Sequence, residues 1–378
     1  MSRRIIPLLP RCWLSLGLLS TLLAFPAFCQ MVGFQQFTLK DAPTRPLPVT
    51  LWYPTSEQSG AQLIADNVAF HGMEVIKDAS SNAQRAPLVL LSHGYRGNWK
   101  NLSWLAHRLA QRGYIAAAVE HPGTTTFDQN AAQAAQWWQR PRDVSRALDY
   151  LLASNSWSAH IDSDNISAIG HSLGGWTIMQ LAGATLDQAS FNAHCEVNPN
   201  PRTCGLRNEL GLNLHPTLPT ELSLTALPST ALSSIERSSV ETASNAPLIT
   251  PRADERISRF VSLDLGLARS FSVDSLNAIH QPILILAAGI DIGDLPQQEE
   301  SGYLAEHLPL DSRQYKVFEH ATHFSFFPRC KPNAVALLEQ ESPGDGMVCV
   351  DGEATTRAAL HQQIFEDIFA FLDNKQTP

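Results

Sequence analysis

The segment Gly170-His171-Ser172-Leu173-Gly174, extended by Gly175, carries the clearest chemistry in this 378-residue chain. It follows the apolar run Ile166-Ser167-Ala168-Ile169 and precedes a helical stretch near 173–182, so it reads as strand, sharp turn and helix. On such an elbow the serine is held in a strained backbone conformation, and glycines on either side remove the clashes that side chains would cause. The hydroxyl then projects above the sheet at a helix N-terminus, where amides and dipole favour negative charge. That is a setting for a serine nucleophile. The competing reading is a glycine-rich turn that only packs against a sheet. A phosphate loop is excluded, because the Lys-Ser/Thr ending is missing, and no cofactor is expected.

A nucleophilic serine needs a base, an acid and an oxyanion hole. The N–H of Leu173 is one oxyanion donor by position, and the amide of Tyr95 is the expected second. Tyr95 lies in Ser92-His93-Gly94-Tyr95-Arg96-Gly97, directly after the apolar run Leu88–Leu91. His93 sits inside that turn, where a hydrogen-bonding role is favoured over that of a base. The base is expected after the last strand, where Glu319-His320-Ala321-Thr322-His323-Phe324 offers two histidines. His323 is preferred, because the following Phe-Ser-Phe-Phe run can pack and hold it. Metal binding by His320 and His323 lacks a helix or a carboxylate pair, so no metal site is expected. Asp291, after Ile283–Ala288, is the favoured acid. Asp264, after Phe260–Leu263, is the alternative, and Asp294 is a third choice.

These residues need a scaffold that brings strand ends together. From residue 87 the chain alternates apolar runs with amphipathic stretches: strands at 87–91, 114–119, 166–169, 260–263, 283–287 and 314–318. Helices are expected near 99–112, after Pro141 (Val144, Leu148, Leu151 and Leu152 on one stripe), near 173–182 and near 354–373. Strands buried on both faces and separated by helices imply a mainly parallel sheet. Phe34–Leu39 and Val49–Tyr53 add a hairpin ahead of it. Residues 185–256 break the rhythm: 13 of the 40 residues in 211–250 are Ser or Thr, so the stretch is expected to be a lid inserted after the elbow helix.

Composition narrows the function class. With 44% hydrophobic and 17% charged residues the chain is globular, and a net charge of −9 disfavours nucleic acid and anionic membranes as partners. Arg3, Arg4 and Arg11, the apolar residues 13–28 and Ala27-Phe28-Cys29 read as a signal peptide over 1–29, leaving one domain over 30–378. The apolar stretch is short of the roughly 20 residues of a membrane span, although an uncleaved anchor is the rival reading. The protein is therefore expected to be exported, periplasmic or secreted, with no stable membrane insertion after cleavage. Four cysteines follow the leader and form two local pairs, Cys195–Cys204 and Cys330–Cys349, expected as disulfides. Their spacing lacks the short CxxC pairs of structural zinc sites.

With these motifs in place, the chain resembles the α/β-hydrolases. Within that fold it resembles exported dienelactone-hydrolase-like serine hydrolases, relatives of platelet-activating-factor acetylhydrolases and, more distantly, of bacterial polyester hydrolases. The resemblance covers roughly 45–184 and 257–373. It rests on Ser92-His93-Gly94-Tyr95, Glu120-His121-Pro122-Gly123, Arg140-Pro141-x-Asp143, Gly170–Gly175, and His323-Phe324 followed by two late cysteines. It implies an α/β-hydrolase sheet and cleavage of a small-molecule or lipid-like ester. Authentic dienelactone hydrolases use cysteine where this chain has Ser172, so the family name does not fix the substrate. The resemblance leaves the acid open, since most α/β-hydrolases use the position of Asp291 and acetylhydrolase relatives one that Asp264 resembles. Two other readings are an amidase or peptidase with the same triad and a silent hydrolase fold used for binding.

Overall fold

The computed structural model describes residues 30–212, 253–291 and 295–374; the expected leader, residues 213–252 of the expected lid, and Asp294 lie outside them. The chain opens with the expected hairpin, β1 (Val32–Leu39) antiparallel to β2 (Leu47–Pro54). Two short strands not anticipated from the pattern, β3 (Ala61–Ile64) and β4 (Met73–Lys77), extend that edge. Alternation follows in β5 (Ala86–Ser92), α1 (Ser103–Gln111), β6 (Ile115–Val119), the short α2 (Ala131–Ala134), α3 (Gln139–Ala153), β7 (Ile161–His171) and α4 (Leu173–Leu181). Next come α5 (Gln188–Val197) and α6 (Thr203–Glu209), then β8 (Arg259–Leu263), α7 (Val273–Asn277), β9 (Ile283–Ile290) and α8 (Ser301–His307). The fold closes with β10 (Arg313–Thr322), α9 (Ala334–Glu341) and α10 (Arg357–Asp373).

The described strands form one sheet in the order β10-β9-β8-β7-β5-β6-β2-β1-β4-β3. Pairings from β6 through β5, β7, β8 and β9 to β10 are all parallel. Their apolar runs follow from cover on both faces. Successive strand residues point to opposite sides, so Leu88 and Leu90 pack with Val144, Leu148 and Leu151 of α3. Val89 and Leu91 face the other way, onto Leu105 and Leu109 of α1 and Leu360, Ile364 and Ile368 of α10. This is the α/β-hydrolase fold. Because the central strands are parallel, their C-terminal ends meet along one edge, and that edge is where loops can build a site.

The stretch expected to be irregular begins with structure. Asp187 caps α5 by accepting the N–H of Ser190, and Phe191 and Cys195, four residues apart, share its buried face. Cys195 is bonded to Cys204 on α6, and Cys330 to Cys349, with Cα separations of 5.7 and 5.8 Å. Short helices of this length are marginal alone, and the cross-link and buried face supply what propensity does not. Among the described residues no helix is long and apolar enough to cross a membrane.

Candidate active site

Ser172 sits between β7 and α4 with φ 57° and ψ −124°, a conformation that costs a non-glycine residue about 1–3 kcal/mol. The tight turn is fixed by the donation of its N–H to the carbonyl of Leu263 at 3.0 Å. Glycine is required on both sides. A Cβ on Gly170 would lie 2.1 Å from the carbonyl oxygen of Gly174, and one on Gly174 would lie 1.9 Å from that of Ser92. The first turn of α4 is therefore pressed against the end of β5, which brings the β5 loop to the serine. Gly174→Ala is expected to push that loop away, lowering Tm by several degrees through about 1–3 kcal/mol of overpacking. Labelling of Ser172 by a fluorophosphonate should slow about 100-fold, since a displacement near 1 Å suffices for that. Melting curves and labelling rates check both.

His323 follows β10 in a 3₁₀ turn, His323–Phe326. Its Nδ1–H donates to Asp264 Oδ2 at 2.7 Å, and Asp264 Oδ1 accepts the N–H of Ala288 at 2.8 Å. Both side chains are buried. With the Nδ1 proton committed to the carboxylate, the lone pair of the neutral ring is on Nε2, a tautomer assigned from the bonding. Asp264 leaves β8 level with Ser172, since His171 pairs with Leu263 across the β7–β8 ladder.

Of the two aspartates, the structure joins Asp264, the alternative, to His323, while Asp291, the favoured acid, follows the end of β9. β9 runs on to Ile290 while β8 stops at Leu263, which lies opposite Leu286. Asp291 follows Ile290, which pairs with Thr322, so it stands beside His323 at the strand ends and lines a small pocket with His323 and Asp264. There it is exposed, and its carboxylate accepts the N–H of Leu295 at 3.0 Å. His320, the rival base, is also exposed, on the outer part of β10.

The turn carrying His323 is gripped from three sides that the sequence did not reveal. Trp104 Nε1–H donates to the carbonyl of Phe326 at 2.7 Å, and His361 Nε2–H to those of Ser325 and Phe327 at 3.1 and 2.9 Å. Burial pushes the His361 pKa down to about 3, so the ring is neutral and donates from one nitrogen. The hydroxyl of Ser325 accepts the N–H of Thr322 and donates to Asp351, which Arg357 holds in turn. The packing expected of the Phe-Ser-Phe-Phe run is present in part, with Phe326 fully buried.

Tyr95 and Leu173 line the same cavity as Ser172 and His323, a space of about 740 Å³. Leu173 opens α4, so its N–H has no acceptor within the helix. The β5 loop is held from below. His93 donates from Nδ1 to the carbonyl of Gly94 at 2.7 Å and accepts the N–H of His121 on Nε2 at 3.1 Å. Burial, then the neighbouring Arg140 charge, hold its pKa well below the usual histidine value, so it stays a neutral strut. Arg140, buried at the start of α3, donates to the carbonyl of His93 at 2.6 Å and to Thr177 at 2.8 Å. Asp143 accepts Nδ1–H of His121 and two bonds from Arg45. The signal for this network was legible: Arg140 and Asp143 sit beside the apolar stripe of α3, where charge without partners is expensive.

Residues 83–327 match the serine aminopeptidase S33 family, a span of more than half the chain that includes Ser172, Asp264 and His323. The chain belongs to that family. Among relatives of this S33-family chain, Cutinase est1 of Thermobifida alba is 31% identical over 137 residues, covering 36% of this chain and 42% of the relative. The bis(hydroxyethyl) terephthalate hydrolase of Streptomyces coelicolor is 29% identical over 120 residues, 32% of this chain and 34% of the relative. The matches thus span about two fifths or less of these relatives' length. A solved ferulic acid esterase from Streptomyces cinnamoneus superimposes with a TM-score of 0.58 at 18% identity, covering 93% of this chain and 91% of that one, which shows a shared fold.

Proposed function

We propose that the protein is an exported serine hydrolase that cleaves carboxylic esters. The observation that carries this reading is the 2.7 Å bond from His323 to the buried Asp264, at a strand edge shared with the Ser172 elbow. In the proposed cycle His323 Nε2 takes the Ser172 hydroxyl proton as Oγ attacks the ester carbonyl. Asp264 holds the imidazole in its tautomer and stabilises the imidazolium. The amides of Tyr95 and Leu173 receive the oxyanion. His323 then protonates the departing alcohol, and water hydrolyses the acyl-enzyme by the same route. No cofactor takes part.

The names of the relatives, cutinase and terephthalate-ester hydrolase, support an ester as substrate. Apolar cavity walls from Leu206, Phe324, Phe327 and Leu338 suit a small-molecule or lipid-like ester. Within the superfamily, an acid at the end of β8 supports the acetylhydrolase-like kinship over the more usual position after β9. Two disulfides and the basic-apolar N-terminus support export after cleavage near Cys29, with residues 185–256 as lid. The test is hydrolysis of p-nitrophenyl esters of increasing chain length, beside an amino-acid p-nitroanilide. Turnover of esters, falling as chains outgrow the cavity, is expected. Faster cleavage of the anilide would assign the chain to the peptidase chemistry that its family's name describes.

A further inference from the structure

Glu300, directly before α8, is a carboxylic acid enclosed by protein, 4% exposed. Its Oε2 accepts the N–H of Ala268 at 2.7 Å and its Oε1 the hydroxyl of Thr203 at 2.9 Å, and the neighbouring amide of Leu267 favours its charged form. Leu267 and Ala268 belong to the turn that starts at Asp264. That turn has two left-handed residues, Asp264 at φ 43° and Leu267 at φ 66°. Consecutive amides turned toward one point make a concavity that holds an anion, and here a side chain fills it. Thr203 opens α6, and both Thr203 and Leu267 line the cavity at Ser172. Among the described residues no cation forms an ion pair with Glu300, so its burial is expensive for folding alone.

We propose that Glu300 is a positioning residue for ester hydrolysis: its carboxylate ties the Asp264 turn to α6, fixing together the acid that orients His323 and the cavity wall that meets substrate. This rests on the function proposed above. Removing the tie frees the acid turn and α6 from each other, although neither end touches the reacting atoms. The assignment differs from a packing role, because a polar but uncharged residue of the same shape would pack as well.

The ionisation of Glu300 separates the two roles. Burial, with a smaller push from the Asp264 charge, raises its pKa to about 7 against the bonds from Ala268, Thr203 and the Leu267 amide. Asp264 faces it across the turn, with His323 beyond. Arg269, next to Ala268, lies over the Tyr303 ring at 4.7 Å, and Arg202, next to Thr203, lines the cavity. A pKa raised on folding means that the stability it contributes is complete below about 4.5 and is lost as pH rises through about 7. Above that pH the ionised carboxylate weakens the fold while holding the turn.

The test compares full-length wild type, Glu300→Gln and Thr203→Val with p-nitrophenyl butyrate. Glu300→Gln keeps the shape and loses the charge. It is expected to melt a few degrees above wild type at pH 8 and level with it at pH 5, while kcat at pH 8 falls about tenfold. Thr203→Val, which cuts only the α6 end of the tie, is expected to raise KM about threefold with kcat nearly kept, the size of one lost hydrogen bond. Wild-type kcat at pH 8 in Glu300→Gln, or a lower Tm at both pH values, would overturn the proposal. If Glu300→Gln does not fold, an unchanged KM in Thr203→Val overturns it. Wild type that neither turns over the ester nor takes a fluorophosphonate on Ser172 would instead sink the parent reading.

Discussion

Ser172→Ala is expected to remove ester hydrolysis almost completely, by roughly 10⁶ in kcat if the precedent of serine proteases transfers. The substitution deletes only Oγ. The elbow stays, because the strained φ of 57° is imposed by the Ser172 N–H bond to Leu263 and by the close contact between α4 and β5 rather than by the hydroxyl. Far-UV dichroism should match wild type and Tm should move by no more than a degree or two. Activity is then measured with a short p-nitrophenyl ester on freshly purified protein. Residual hydrolysis within tenfold of wild type would mean that another group attacks the ester.

The second large effect separates two aspartates at strand ends, Asp291, which the sequence favours, and Asp264, its alternative. Asp264→Asn should lower kcat by on the order of 10⁴ at neutral pH, because an amide can present N–H to Nδ1 and so reverse the imidazole tautomer. The Oδ1 acceptor for Ala288 can be kept by the asparagine oxygen, so folding should be little affected. Asp291→Asn alters an exposed carboxylate bonded to the N–H of Leu295, and a change of no more than about threefold is expected. Steady-state kinetics on both variants decide it. A severe loss in Asp291→Asn with a mild one in Asp264→Asn would reverse the assignment.

This pair was not resolved in the sequence because both strand ends meet beside His323, and only the bond to the ring tells them apart. Both aspartates follow apolar runs, and nothing in either run states which carboxylate bonds to the ring. That choice depends on pairing with β7 and β10, which are distant in sequence. The register that sets Leu263 opposite both His171 and Leu286 is a tertiary fact.

Local patterns, by contrast, carried the fold. Leu88–Leu91 reads as a strand covered on both sides because it has no polar position, and Gly170–Gly175 reads as an elbow because its glycines sit where Cβ atoms would collide. α5 and α6 were not legible, since helices this short gain their order from Cys195–Cys204 and from the partners of Thr203 and Phe191. The struts around His323 were hidden for a different reason. Trp104 and His361 lie far from it in the chain, and each looks like an ordinary member of an amphipathic helix until its ring N–H is seen to donate to the turn.

The central claim is that one serine does the chemistry, and the adduct of a fluorophosphonate probe tests it most directly. After incubation of the full-length protein at pH 8, peptide mass mapping should find the phosphonyl group on Ser172 at one equivalent, with ester hydrolysis lost in proportion. Ser172→Ala should remain unmodified under the same conditions. Stoichiometric modification elsewhere, or full esterase activity in protein that carries the adduct on Ser172, would contradict the account.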